Sequence, residues 1–400
     1  MISRHILPLV VGPFLVASAF GGYSASLSFE DTDYGPEDLL VRDFLVLGGG
    51  ASGTYARRAY VNFRNGQPAA SPDQATIQGL LGYFDTLAQF PYLADGFDLP
   101  EPVPEDLLLP LGDYLEKYNL SSIAYFIFDQ AQCQGNLLDQ PTLYVAKYFG
   151  TVNKASVVHG YLTSARLNNS ELYSASQKHL GSDVLLQSQI LGLRRTGHGV
   201  TAIVSTPSGK KLVKAKKLIS SISPQLDSGN LAGWDLSAKE TSLFGQFNSS
   251  AYWTALVTNT GLSSSVMWKN TDPAQVLDIP RLPQAYVIFP TGTIENVLHV
   301  YYGSPYAIPE EQVRQDIVAE VQRVQALAGV PITQPEFLIM DAHIPFQCTV
   351  STDAIRKGFY RDLNGLQGEL STFWTGAAFH THDSSLLWQR TEKLLPSWLA

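Results

Sequence analysis

Cysteine is almost missing from this chain: 400 residues contain two, Cys133 and Cys348. That excludes a disulfide framework and any cysteine-based metal cluster. Both lie in apolar surroundings, so two buried thiols are expected; one bridge between them is the alternative in an oxidising compartment. Positive charge is also scarce, with 27 Lys and Arg against 36 Asp and Glu and a net charge of -9. The one basic stretch, Lys210, Lys211, Lys214, Lys216 and Lys217, flanks a Pro207-Ser208-Gly209 turn and reads as a solvated hairpin. Nucleic-acid binding is therefore not expected. No Gly-x-Ser-x-Gly elbow occurs, which removes the usual serine-hydrolase signature.

Long apolar runs are missing too. Arg4 and His5 precede an apolar stretch over residues 6–20 with Ala17-Ser18-Ala19 as a cleavage site, which predicts a secretory signal peptide over residues 1–19. The stretch contains Pro8 and Pro13 and falls short of the about 20 residues of a spanning helix. Stable membrane insertion is not expected; a membrane anchor is the alternative to secretion. Sequons at Asn119, Asn168 and Asn248 agree with a secreted chain.

What is present is a core-forming composition, 45% hydrophobic and 11% aromatic, at a length that suggests about two domains. The most informative segment is Phe44-Leu-Val-Leu-Gly48-Gly-Gly50-Ala-Ser52-Gly53, an apolar strand running into Gly-x-Gly-x-x-Gly and then a helix-compatible run. In that context Gly48 permits a tight turn, Gly50 lets the backbone approach a pyrophosphate, and Gly53 lets helix and strand pack closely. The second half of such a βαβ unit is not visible. A strand ending in a ribose-binding acid is due about 20 residues on, but the chain reads as a short helical run followed by polar and turn residues with Pro68 and Pro72. Asp73 has no apolar run before it and reads as a loop or capping acid.

Further along, Ile77, Leu80, Leu81, Phe84 and Leu87 have helical spacing, residues 91–110 form a proline-rich linker, and residues 111–150 are helical again. A helix near residues 168–180 precedes strand candidates at 183–189, 192–195, 200–206, 212–215 and 217–222. Three more, within residues 254–258, 285–289 and 297–303, surround a loop at 263–283 and suggest a second, sheet-based domain. A helix opens after Pro309, a strand-like stretch covers 336–343, and Thr372-Phe-Trp-Thr-Gly376-Ala-Ala-Phe-His380-Thr-His382-Asp383 leads from strand through a small-residue turn into an acid-capped helix. His380, His382 and Asp383 could suggest a metal pair, since residues two apart on a strand share a face; no third cluster of ligands accompanies them. Tyr301, Tyr302 and Trp374 read equally as cavity wall or ordinary core.

The opening glycine loop, the stretch from Ser182 to Ser223 and the terminal motif together resemble FAD-dependent oxidoreductases of the flavin amine oxidase type, in the branch that includes β-cyclopiazonate dehydrogenase-like proteins. The resemblance implies an α/β fold with α+β elements: a Rossmann-like FAD-binding domain over residues 40–70, 165–235 and 365–400, a helical insertion over 71–164 and a substrate domain over 236–364. It implies FAD as cofactor and a small-molecule substrate. Gly48, Gly50, Ser52 and Gly53 would hold the pyrophosphate, and the backbone of Val184 and Leu185 would meet the adenine. Gly376 and Ala377 would lie beside the flavin, with Ser384, Ser385 and Leu386 at its pyrimidine edge, where a helix dipole favours negative charge. No catalytic acid or base is indicated. The family's second strand, ribose acid and following phosphate loop have no counterpart after Ala56. Two readings therefore stand, a working oxidoreductase and a secreted, non-catalytic remnant or binding protein.

A β-carbon at Gly50 would collide with a bound pyrophosphate but not with an empty turn. Gly50→Val is expected to abolish FAD binding with the circular dichroism of a folded protein retained, while Asp73→Ala leaves binding unchanged. Unaltered flavin occupancy in the Gly50 variant would reduce the fingerprint to a structural turn.

Overall fold

Alternation and helical spacing sort the chain into one large sheet, a helical block and a smaller mixed unit. The structure, a computed structural model, describes residues 57–399 apart from 161–164, 167 and 293, together with two short strands at Leu27–Phe29 and Thr32–Tyr34. The leader and the glycine loop with Gly48, Gly50, Ser52 and Gly53 lie outside the described residues.

The large sheet has seven strands in the spatial order Glu336–His343, Ala251–Thr258, Leu298–Ser304, Gln284–Pro290, Val266–Asn270, Arg57–Asn62 and Gln67–Ala69. All pairs are antiparallel except Val266–Asn270 with Arg57–Asn62, which run parallel. Two expectations fail here. The helical run after Gly53 is a strand from Arg57, and the loop at 263–283 contains the strand Val266–Asn270. The physical reason is a period of two: Ala59, Val61 and Phe63 all pack into the sheet-and-helix core, and Tyr60 packs on the other side.

One face of this sheet is covered by the helix Glu310–Ala328, which follows Pro309 at its N-cap and ends on Gly329 in the left-handed region. Val313, Ile317, Val321 and Val324 form its apolar stripe, each fully buried. Each such side chain contributes about 1.5–3 kcal/mol relative to exposure. The opposite face of the sheet, with Tyr252, Tyr286, Phe289 and Tyr301, meets the helical block between residues 77 and 159. In that block Ile77–Leu87 is capped by the Thr76 hydroxyl, and Leu80, Tyr83, Phe84 and Leu87 are its buried side.

The third unit is a meander, Gln189–Thr196, Gly199–Thr206 and Gly209–Ala215, followed by Leu218–Ser220, which pairs in parallel with Thr372–Trp374. The strand expected at 183–189 begins only at Gln189; residues 181–183 form a short 3-10 turn instead. Cys133 and Cys348 are buried free thiols. No helix among the described residues is long and apolar enough to cross a membrane.

The meander is tied to the rest by Arg195, whose side chain is wholly buried. Its guanidinium donates to both Glu240 oxygens at 2.7 Å and to Asp235 Oδ1 at 2.9 Å, lies over Trp234, and reaches Thr372 Oγ1 at 3.4 Å. Glu240 also accepts the Ser237 amide in a capping box that starts the helix Ala238–Phe244. Arg195→Ala would leave this carboxylate buried without its cation, and a loss of about 3–5 kcal/mol is expected. Lys239→Ala, which removes an exposed pair with Glu369, should cost no more than about 1 kcal/mol. Urea unfolding of both variants checks this; equal losses would show that the buried clamp carries no special weight.

Candidate functional site

The paired strands Leu218–Ser220 and Thr372–Trp374 are parallel, and ligands of open α/β sheets gather at the carboxyl ends of such strands. The Thr375 amide bonds to the Ser220 carbonyl at 2.9 Å, and the chain then turns at Gly376. Gly376 has φ +92, and a β-carbon there would lie 2.6 Å from the Ser221 carbonyl oxygen. Only glycine lets the two strand ends approach so closely. The Ser220 hydroxyl beneath this turn is buried without a hydrogen-bond partner.

A short 3-10 turn, Ala377–Phe379, leads through His380 and His382 to Asp383, whose Oδ1 accepts the Leu386 amide at 3.0 Å and the Ser385 hydroxyl at 2.5 Å. This cap opens the helix Ser384–Leu399, with Ser384 and Ser385 exposed and Leu386 half-buried. The helix is anchored at Asp95, which pairs with Arg390 at 2.9 Å and with Lys393, and at the Trp398 carbonyl, which accepts from Lys217 at 2.7 Å. Gly376, Ala377, Ser384, Ser385 and Leu386 thus follow one another along a fixed turn and helix start. Val184 and Leu185 stand elsewhere in the chain, after the helix Ser170–Leu180: the Val184 amide bonds to Gly181 and Leu185 is exposed.

The histidines do not converge. His382 Nε2 donates to the Phe346 carbonyl at 2.8 Å and its ring stacks on Phe346 with centroids 4.3 Å apart. His380 turns away, its Nδ1 accepting from the Gly96 amide at 3.0 Å and lying 2.8 Å from Lys147 Nζ. Asp383 is the helix cap, and no group of three metal-type ligands occurs among the described residues. Asp73 accepts the Ala75 amide within its own loop. Tyr302 and Trp374 are core: Tyr302 bonds to Asp316 at 2.6 Å, and Trp374 packs on Trp234 and Phe244. Tyr301 faces the other way, against Tyr252, Phe289 and His299.

That second face carries groups the sequence reading missed. Tyr252 touches Tyr286, Tyr301, His343 and Phe346, so the aromatic wall of the large sheet reaches the terminal motif at the Phe346–His382 stack. Burial raises the Tyr252 and Tyr286 phenols well above their ordinary range and lowers His299 and His382, so these four groups are uncharged near neutrality. Lys147 was also missed, although a lone lysine in the apolar helix Thr142–Tyr148 is a visible signal. Its ammonium donates to the Leu93 and Gly96 carbonyls at 2.6 and 2.7 Å besides His380. Burial, with Arg390 nearby, pulls Lys147 down to about 7; burial, with Lys147 and Arg390, holds His380 at about 3 and therefore neutral.

A glycine cradle, an orphaned buried hydroxyl at the ends of parallel strands and a capped helix start are features that fit a dinucleotide cofactor. Comparison with known proteins gives the class: the chain belongs to the FAD-dependent oxidoreductases, its fold is of the flavin amine oxidase type, and its cofactor is FAD. It is 37% identical over 358 residues to the FAD-dependent oxidoreductase oblC of Cochliobolus heterostrophus, covering 85% of this chain and 73% of that protein. It is 34% identical over 347 residues to the β-cyclopiazonate dehydrogenase of Aspergillus oryzae, with 85% and 74% covered. The match to pigF of Monascus ruber, 29% identical and covering 92% of this chain and 94% of that protein, runs over 442 positions. That exceeds the 400 residues of this chain, so the relative carries internal positions with no counterpart here. Among solved structures, a CLA-producing fatty acid isomerase from P. acnes superposes with TM-score 0.69 at 16% identity, over 95% of this chain and 90% of that one. Putrescine oxidase does so with TM-score 0.54 at 13% identity, over 86% and 82%. No protein-family model matches the chain.

Gly376→Ala is expected to destabilise the protein by about 1–3 kcal/mol, because the left-handed backbone and the Ser221 carbonyl both oppose a side chain. Gly181→Ala, also at positive φ but with open space around it, should cost less. Thermal unfolding of the two variants compares them, and an equal loss would deny the close approach at Gly376 any special part.

Proposed function

We propose that this chain oxidises a small organic amine or secondary metabolite by hydride transfer to noncovalently bound FAD. The observation that carries the reading is the continuous aromatic wall from Tyr252 to the Phe346–His382 stack, which joins the substrate sheet to the terminal motif. A wall of phenols, imidazoles and phenyl rings suits an apolar ring system with few polar groups. FAD supplies the hydride-accepting chemistry; the chain supplies orientation and exclusion of water. In this reading Gly376 and Ala377 lie beside the flavin, and Ser384, Ser385 and Leu386 at its pyrimidine edge. Val184 and Leu185 meet the adenine, and Gly48, Gly50, Ser52 and Gly53 hold the pyrophosphate. Residues 1–19 act as a secretory leader.

A specific observation favours a second reading, a secreted remnant or binding protein with a degraded flavin site. Strands of a parallel sheet are normally covered on both faces, yet Ile219, in the middle of Leu218–Ser220, is 43% exposed, and Ile222 just after it is exposed as well.

The flavin absorbance of the purified protein and its thermal melting with and without FAD separate the readings. A ligand bound only by the native state raises the midpoint, by about 2.7 kcal/mol of stability at a hundredfold excess over Kd. The oxidoreductase reading requires both signals. A protein with neither is the remnant.

A further inference from the structure

The meander turns one face to solvent, and the chemistry of that face differs from the rest of the chain. Leu193, Val200 and Ala202 point the other way, into a small core. In the register of the three strands Ile203 faces Leu212, Thr201 faces Lys214 and Ser205 faces Lys210, while Arg194 on the first strand faces Thr201 from the other side. Side chains alternate along a strand, so Arg194, Ile203, Lys210, Leu212 and Lys214 share the outer face. Ile203 is 45% and Leu212 64% exposed. A lysine stands about 7 Å along the strand on either side of Leu212. Arg194, Lys210 and Lys214 form no ion pair among the described residues. Residues 184–226, which include all three strands, contain seven Lys and Arg and no Asp or Glu, in a chain whose net charge is -9.

Lysines on an edge strand guard against the addition of a further strand. That role needs neither Arg194, which lies on the opposite edge of the meander, nor an exposed pair of Ile203 and Leu212. We propose that this outer face adsorbs the protein reversibly on an anionic lipid surface, with Arg194, Lys210 and Lys214 at the headgroups and Ile203 and Leu212 entering the boundary with the acyl chains. Acidic headgroups answer the cations, and the acyl boundary answers the apolar pair between them. A nucleic acid would answer only the cations, and the three strands carry no aromatic side chain on which a base could stack. A few side chains on a sheet face give adsorption that salt reverses, not insertion. The inference stands on the meander and is independent of the flavin reading.

The test is co-sedimentation of the full-length protein with vesicles of phosphatidylcholine, alone or with about one quarter phosphatidylserine. Binding should require the anionic lipid and weaken about tenfold or more between about 0.1 M and about 0.5 M NaCl. Each lysine near such a surface is worth about fivefold in partition, so Lys210→Gln with Lys214→Gln should lower binding about 25-fold. Leu212→Ser should lower it about tenfold. Lys239→Gln with Lys357→Gln, equal in charge, exposed and off these strands, should change it less than about twofold. All these positions are exposed, so circular dichroism should not change. Equal binding to the two kinds of vesicle would overturn the proposal and leave only the apolar stretch at residues 6–20, which every variant shares. Equal losses from the two lysine pairs would overturn it in favour of overall charge. A protein that ignores both vesicles and binds duplex DNA would overturn the lipid assignment and give the face to a polyanion.

Discussion

The buried guanidinium of Arg195 is the constraint on which the smaller unit depends. It sits on the first strand of the meander, yet its partners come from Asp235, from Glu240 on the helix Ala238–Phe244, and from Thr372 at the start of the last strand. A planar fork can meet two carboxylates and a hydroxyl at once only if all three segments are in register. The same segments bring Trp234, Phe244 and Trp374 together as a ring cluster. Electrostatics thereby fixes where the strand before Gly376 emerges, and the geometry of the terminal motif follows from it.

Beyond Gly376 the motif is held from the opposite side. Asp95 pairs with Arg390 and Lys393, Lys217 reaches the Trp398 carbonyl, and Lys147 holds His380. Sites are most precise when rigid elements and their second neighbours leave no slack, and this turn and helix start are pinned at both ends. The contrast with the strand Leu218–Ser220 is informative, since Ile219 in its middle is left exposed. The terminal turn and helix start are thus braced by the chain itself, while Ile219 on the parallel pair stays exposed among the described residues.

Family and cofactor were legible in the sequence because they rest on local chemistry. Gly376, the small residues after it and the acid Asp383 specify a turn and a capped helix wherever the chain places them. The meander and the long helix after Pro309 were legible for the same reason: tight turns and a 3.6-residue stripe are short-range signals. The strand Arg57–Asn62 was not read, although Ala59, Val61 and Phe63 alternate, because a short run after a glycine loop suits a helix equally well until a partner strand exists. Val266–Asn270 supplies that partner from more than 200 residues away.

The sequence by itself determined the class of protein, its cofactor and the local form of the terminal motif, since glycine conformation, capping and periodicity act over a few residues. Tertiary structure alone decided that Tyr302 is core while its neighbour Tyr301 faces the aromatic wall, that His380 and His382 part to different partners, and that Lys147 lies against His380. Those outcomes turn on which face of a strand is covered and which distant carbonyl meets an ammonium group. Contacts between residues far apart in sequence fix both, and no pattern along the chain encodes them.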